Sequence, residues 1–134
     1  MSKFLADSEI ERLKRVWLSW ENSGEIRLEK GHRIWRKTVS KEYGRVGVTI
    51  SMKTGSTVKK RILAHVLSYF LKDNSFDCFN RTRTLDISHL CFHKLCVSPD
   101  HLSLESRQEN IRRKQCHKKK YCFGHGENPK CIFQ

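Results

Sequence analysis

The chain holds no run of apolar residues long enough to cross a bilayer. Its opening stretch, MSKFLADSEIERLKR, has no apolar core of the signal-peptide kind and turns acidic early. A membrane span and secretion are therefore not expected. Low-complexity tracts and internal repeats are also missing, so residues 73–134 read as the second half of one domain rather than as a separate one. Acidic residues are scarce, with 14 Asp and Glu against 27 Lys and Arg, a formal net charge of +13. Such an excess attracts polyanions and speeds their capture. One polyanion, the lipid surface, would call for a long basic amphipathic helix with a free apolar face. None is found, so nucleic acid is the expected partner and a membrane is not.

What is present suits one small domain over residues 1–134. With 134 residues and 37% hydrophobic composition the core is modest, and domains of this size often lean on metals or disulfides. Residues 8–22 read as a helix, with a Ser8–Glu11 capping box, Ile10, Leu13, Trp17 and Trp20 on one face, and a stop at Gly24. His32–Trp35 reads as a short strand. From Tyr43 to Lys53 the pattern alternates. Val46, Val48, Ile50 and Met52 form an apolar face; Arg45, Gly47, Thr49, Ser51 and Lys53 form a small, basic one that can lie in a DNA groove. Lys53–Ser56 is a turn signal. Residues 58–71 are expected to be a second helix with Ile62, Leu63, Val66, Leu67 and Phe70 buried, and His65 off that stripe as a structural or solvated residue. The half 73–134 carries the six cysteines and a basic stretch at Arg112–Lys114 and Lys118–Lys120.

Six cysteines allow fifteen disulfide pairings. Without a secretion signal a reducing compartment is expected, and the cysteines alternate with histidines at short spacings, which suits zinc. Cys116, Cys122, His125 and Cys131 make a complete Cys3His set within sixteen residues, with Gly124 and Gly126 easing the path around the histidine. Cys91, Cys96 and His101 make a second set of three, folded together by a Ser98–Pro99 turn. Its fourth ligand is open among His32, His93 and Cys78. Zinc favours a tetrahedron of such donors.

A third constellation holds different chemistry. Leu85–His89 reads as a strand, His101–Glu105 as its return, and Ser106 as the cap of a short helix, completed as a capping box by Glu109. This strand–loop–strand–helix frame lets His89 face Asn110, although 21 residues separate them. A neutral imidazole accepts a proton from water near neutral pH. The amide oxygen of asparagine is a hard ligand suited to one Mg2+, which would stabilise a crowded phosphate transition state and its departing 3′ oxygen.

At these residues the chain resembles the His-Cys box homing endonucleases, a branch of the ββα-metal nucleases related to HNH enzymes. The matching stretch is Ser88–His89–Leu90–Cys91, Cys96, Pro99–Leu102, Glu105–Ser106 and Asn110, continuing through Cys116, Cys122, His125 and Cys131. The first helix, the strand at Tyr43–Val48 and the helix after Lys59–Arg61 are similar more loosely. The resemblance implies an α+β fold with antiparallel strands, a ββα-metal motif and two structural zinc sites. It implies His89 as general base and Asn110 as the ligand of a single catalytic Mg2+. Where the family has a cysteine on an early strand, Gly31–Trp35 places His32, so His32 is preferred over Cys78 in the first zinc site. Strands around 43–60 would enter the major groove, adding Lys59 and Lys60 to the DNA contacts. An arginine beside the scissile phosphate falls among Lys59, Lys60 and Arg61; Arg61 is preferred because a guanidinium grips phosphate in two places. The resemblance also raises a homodimer, formed in the family through a tail after the last ligand, whereas three residues follow Cys131 here.

The expected activity is Mg2+-dependent hydrolysis of double-stranded DNA, with the nucleus as the expected site of action. The rival reading is a zinc-dependent DNA-binding module on the same fold that has lost cleavage. A zinc-stapled interaction domain with no nucleic acid partner would leave the charge of +13 unexplained.

Overall fold

Helix α1 (Asp7–Ser23) buries Ile10, Leu13 and Trp17 on one side, as their three- and four-residue spacing requires. The computed structural model describes residues 5–75, 78 and 85–133. The opening four residues of the leader reading lie outside these. The expected Ser8–Glu11 capping box does not form. Leu5 is tied to Met52 by a β-bridge, which sets the cap two residues early, so Ala6 occupies it and Ser8 lies inside the helix. The Glu9 carboxylate instead ties the helix to Ser51, accepting from its amide at 3.2 Å. The helix ends at Gly24, as expected.

Strands β1 (Ile26–Glu29) and β2 (His32–Trp35) form an antiparallel hairpin; β1 has no counterpart in the sequence reading. A second sheet runs in the order β3 (Val39–Ser40), β4 (Tyr43–Ser51), β5 (Thr57–Leu63). The alternation expected for β4 is present: Val46 and Ile50 are buried, while Gly47, Thr49 and Ser51 are exposed. The helix expected over 58–71 is only half right. Residues 57–63 pair with β4, from Ser51↔Thr57 to Arg45↔Leu63, and helix α2 spans Ala64–Lys72. The turn at 53–56 returns the chain directly beside β4, and a strand edge that is already present overrides a helical period carried by two residues, Ile62 and Leu63.

The third sheet pairs β6 (Leu85–His89) with β7 (Leu102–Ser106), and helix α3 (Arg107–Lys119) follows at once. His101 sits in a single 3-10 turn before β7 rather than on the strand. The Ser106 hydroxyl caps α3 by accepting from the Glu109 amide at 3.1 Å. The reciprocal half of the box is missing because the Glu109 carboxylate is engaged elsewhere, as described below.

One apolar cluster joins α1, β1, β2, β4, α2, β6 and β7 through Leu13, Ile26, Trp35, Ile50, Phe70, Ile87 and Leu102. Trp35 is fully buried and packs against Trp17 and Trp20 with ring centroids 5.9 and 5.5 Å away. Gly44 faces this ring. A Cβ there would come within 2.4 Å of Trp35 Cδ1, and the indole is pinned by its N–H donating to the Thr38 carbonyl at 2.9 Å. Gly44→Ala is therefore expected to cost about 1–3 kcal/mol of stability through overpacking, read as a lower urea midpoint with an unchanged slope. A neutral outcome would mean that the indole can shift. The fold is thus a small α+β arrangement of antiparallel sheets, and no described helix is long and apolar enough to cross a membrane.

Candidate functional site

The loop between β6 and β7 docks back on β2. Ile34 bridges Cys96, the Trp35 amide donates to the Leu95 carbonyl at 2.9 Å, and the Val97 amide to the Arg33 carbonyl at 2.7 Å. This docking carries His32 to the loop's cysteines. The donor atoms of His32, Cys91, Cys96 and His101 all lie within 4.8 Å of one another. Ligands around a tetrahedral zinc ion stand about 3.3–3.8 Å apart, and Cys96 Sγ to His101 Nδ1 is already 3.4 Å. His32 Nδ1 is buried with no hydrogen-bond partner, an orphaned polar atom of the kind a cation accounts for. Cys78 lies in the apolar cluster instead. Without metal, the two thiols share a proton: the hydrogen bond from Cys91 holds Cys96 down at about 3, and the same contact pushes Cys91 up. Zinc binding displaces that proton.

The second cluster, Cys116, Cys122, His125 and Cys131, also has all its donors within 4.8 Å of one another. Cys116 comes from the last turns of α3 and the rest from the segment beyond it. Gly124 and Gly126, at φ of 92° and 62°, take the left-handed conformations that turn His125 inward. His125 Nε2 stands 3.2 Å from Cys131 Sγ and 3.5 Å from Cys116 Sγ, while its Nδ1 is 2.7 Å from Glu109 Oε2. A carboxylate on the far nitrogen fixes the ring for metal binding. That bond to His125 also holds the Glu109 carboxyl below the usual range and removes it from the capping box. Burial pushes the Cys131 thiol up to about 12. For Cys122 burial acts the same way, but the amides of Cys131 and Gly124 outweigh it and bring it to about 7. Arg113, in the basic stretch at 112–114, is buried. It grips Glu105 at 2.5 and 2.8 Å, donates to the Pro129 carbonyl at 2.7 Å and reaches Cys131 Sγ at 3.4 Å. A buried guanidinium needs such full pairing, and this one locks α3, β7 and the C-terminal loop together.

Between the two clusters lies a cavity of about 630 Å³ lined by Tyr43, Leu63, His65, Asp86, His89, Asn110 and, among others, the basic residues Lys94, Lys114 and Lys118. His89 donates its Nε2–H to the Cys96 carbonyl at 3.1 Å. A carbonyl can only accept, so Nδ1 is left with the free lone pair. Burial lowers the His89 pKa to about 4, which keeps the ring neutral across the physiological range. His65, read from sequence as structural or solvated, is buried, and its ring centroid is 4.2 Å from that of His89. Tyr43 lies 6.0 Å from His89. The three rings form one wall.

Asn110 Oδ1 accepts from the Ser88 hydroxyl at 2.9 Å, and its Nδ2 donates to Asp86 Oδ2 at 3.3 Å. The amide oxygen and the neighbouring carboxylate are both hard oxygen donors. This donor set fits Mg2+ better than zinc. No short sequence motif contains Asp86, whose partners Asn110 and Arg107 are remote in the chain.

Arg45, Gly47, Thr49 and Ser51 stand opposite Leu63, Arg61, Lys59 and Thr57 and therefore share a face of the hairpin. That face leads to the cavity at its Arg45–Leu63 end. Lys60 stands opposite Val48, on the other face, and is exposed there; Lys53 lies in the exposed turn. Arg61 is exposed and does not line the cavity. Arg45 is half-buried, and its Nε has no hydrogen-bond partner.

No curated protein and no solved structure matches the chain. A family model does, described as the zinc-binding loop region of homing endonuclease, over residues 32–132. The matched span opens on His32 and takes in both ligand quartets. By that match and by the two Cys/His clusters it encloses, the chain belongs to the His-Cys box homing endonuclease family.

Proposed function

We propose that the protein is a Mg2+-dependent endonuclease of the homing type that hydrolyses phosphodiester bonds in double-stranded DNA, acting as a single domain with both zinc ions structural. The observation that carries this reading is the convergence of a neutral His89, the Asn110 amide oxygen and a polar hairpin face on one basic cavity. His89 Nδ1 takes a proton from water while the Cys96 carbonyl keeps the ring in the required tautomer. Mg2+ bound at Asn110 supplies charge stabilisation to the phosphate and to the departing 3′ oxygen. The wall of Lys94, Lys114 and Lys118 holds the DNA backbone. Arg45, Thr49, Ser51 and Lys59 face the groove. Arg61 lies on that face two residues before Leu63, where it can reach a phosphate beside the cavity.

The second reading, DNA binding without cleavage, is favoured by one observation: Arg61 and the cavity are not in direct contact. A random pool of duplexes separates the two. Bound duplexes are recovered at low salt, then given Mg2+ at constant zinc. Shortened strands are expected. Duplexes that stay intact, with binding that weakens linearly in log salt, would establish the second reading instead.

A further inference from the structure

We infer that Asp86 is a second protein ligand of the catalytic cation, and that the Arg107 guanidinium occupies its carboxylate until the cation arrives. The inference rests on the nuclease reading and deepens it.

The Asp86 carboxylate lies on β6, three residues before His89, and lines the same cavity as Asn110. Its Oδ2 is 3.3 Å from the Asn110 amide nitrogen. Adjacent ligands at right angles around Mg2+, each about 2.1 Å from the ion, stand about 3 Å apart. Exchange of the Asn110 amide oxygen and nitrogen, by a half-turn of the side chain, therefore places two hard oxygens at nearly that separation. Nothing opposes the half-turn on the other side. The Ser88 hydroxyl, 2.9 Å from Oδ1, donates in one orientation and accepts in the other. Without a cation the amide N–H points at the carboxylate; with one, the oxygen does.

Arg107 is the carboxylate's other partner. Its Nη2 is 3.3 Å from Asp86 Oδ1 and its Nε 3.4 Å from Oδ2. These contacts are long, and the Arg107 side chain is 57% exposed, so the pair contributes little and is easily displaced. A divalent ion beside a carboxylate replaces it with a stronger interaction and frees Arg107, the first residue of α3, to meet phosphate.

The test uses Mn2+ alone as the probe, titrated into the zinc-loaded full chain and followed by the loss of its free electron paramagnetic resonance signal. Asp86→Asn keeps the shape of the side chain and is expected to weaken Mn2+ by at least the ~10-fold that even outer-shell partners cost. Arg107→Ala removes the competitor and is expected to tighten it. A merely structural Asp86–Arg107 pair would make both variants move binding the same way, and that result overturns the inference. Asn110→Ala serves as the reference. If it loses Mn2+ while Asp86→Asn binds as wild type does, Asp86 is not a ligand and the nuclease reading stands. Should the wild type bind no Mn2+, the reading beneath the inference fails with it.

Discussion

A Cys122→Ser variant is expected to carry one zinc ion per chain in place of two and to lose the order of the segment after α3. Residues 120–133 contain no helix or strand. They are held by Cys122, His125 and Cys131 around the second site, by Glu109 on His125 and by Arg113 on Cys131 and the Pro129 carbonyl. In finger peptides a structural zinc ion contributes ~10–16 kcal/mol to folding. That equals or exceeds the ~5–15 kcal/mol of a typical domain's net stability, so no other contact in this segment can replace it. Damage should spread into α3, because Cys116 sits on it and the buried Arg113–Glu105 pair depends on the same loop for its remaining bonds. Metal analysis and a thermal melt check this together. One zinc lost with an unchanged melting temperature would show that the segment folds without its metal.

His89→Ala is expected to reduce cleavage by about 10²–10⁴-fold, the usual contribution of a positioned base, while zinc content and DNA affinity stay at wild-type values. The imidazole is not a zinc ligand. It donates to the Cys96 carbonyl from the cavity side, so its removal leaves the thiol and imidazole donors of the first site in place. Burial, which brings its pKa to about 4, keeps the lone pair available near neutral pH. Cleavage at the wild-type rate would move the base elsewhere, with His65, 4.2 Å away ring to ring, as the next residue to vary.

The zinc sites and the strand–loop–strand–helix frame were legible because their signals are local. Four ligands fall between Cys116 and Cys131, and Ser106 does cap α3. His32 was reachable only by resemblance; physically it depends on the Ile34–Cys96 bridge, a pairing across sixty residues that no spacing announces. The start of α2 is ambiguous in the sequence because Ile62 satisfies two patterns, the inward face of β5 opposite Val46 and a helical stripe leading to Val66. Thr57 and Val58, after a clear turn, carried the strand signal. Glu109 completed a capping box on paper, yet an imidazole brought in from the second zinc loop competes better for its carboxylate. Asp86 and His65 were invisible as site residues for the same reason. Each becomes one through a neighbour distant in sequence.

The central claim is that the cavity holding His89 and Asn110 hydrolyses DNA with a divalent cation. A supercoiled plasmid carrying a duplex selected by binding, incubated with zinc-loaded protein with and without Mg2+, tests it most directly. Nicked or linear plasmid should form only with Mg2+, and its ends, a 5′ phosphate and a 3′ hydroxyl left by a departing 3′ oxygen, should be resealed by ligase. Plasmid that stays supercoiled while the protein is bound, or cutting that ignores Mg2+, would contradict the account.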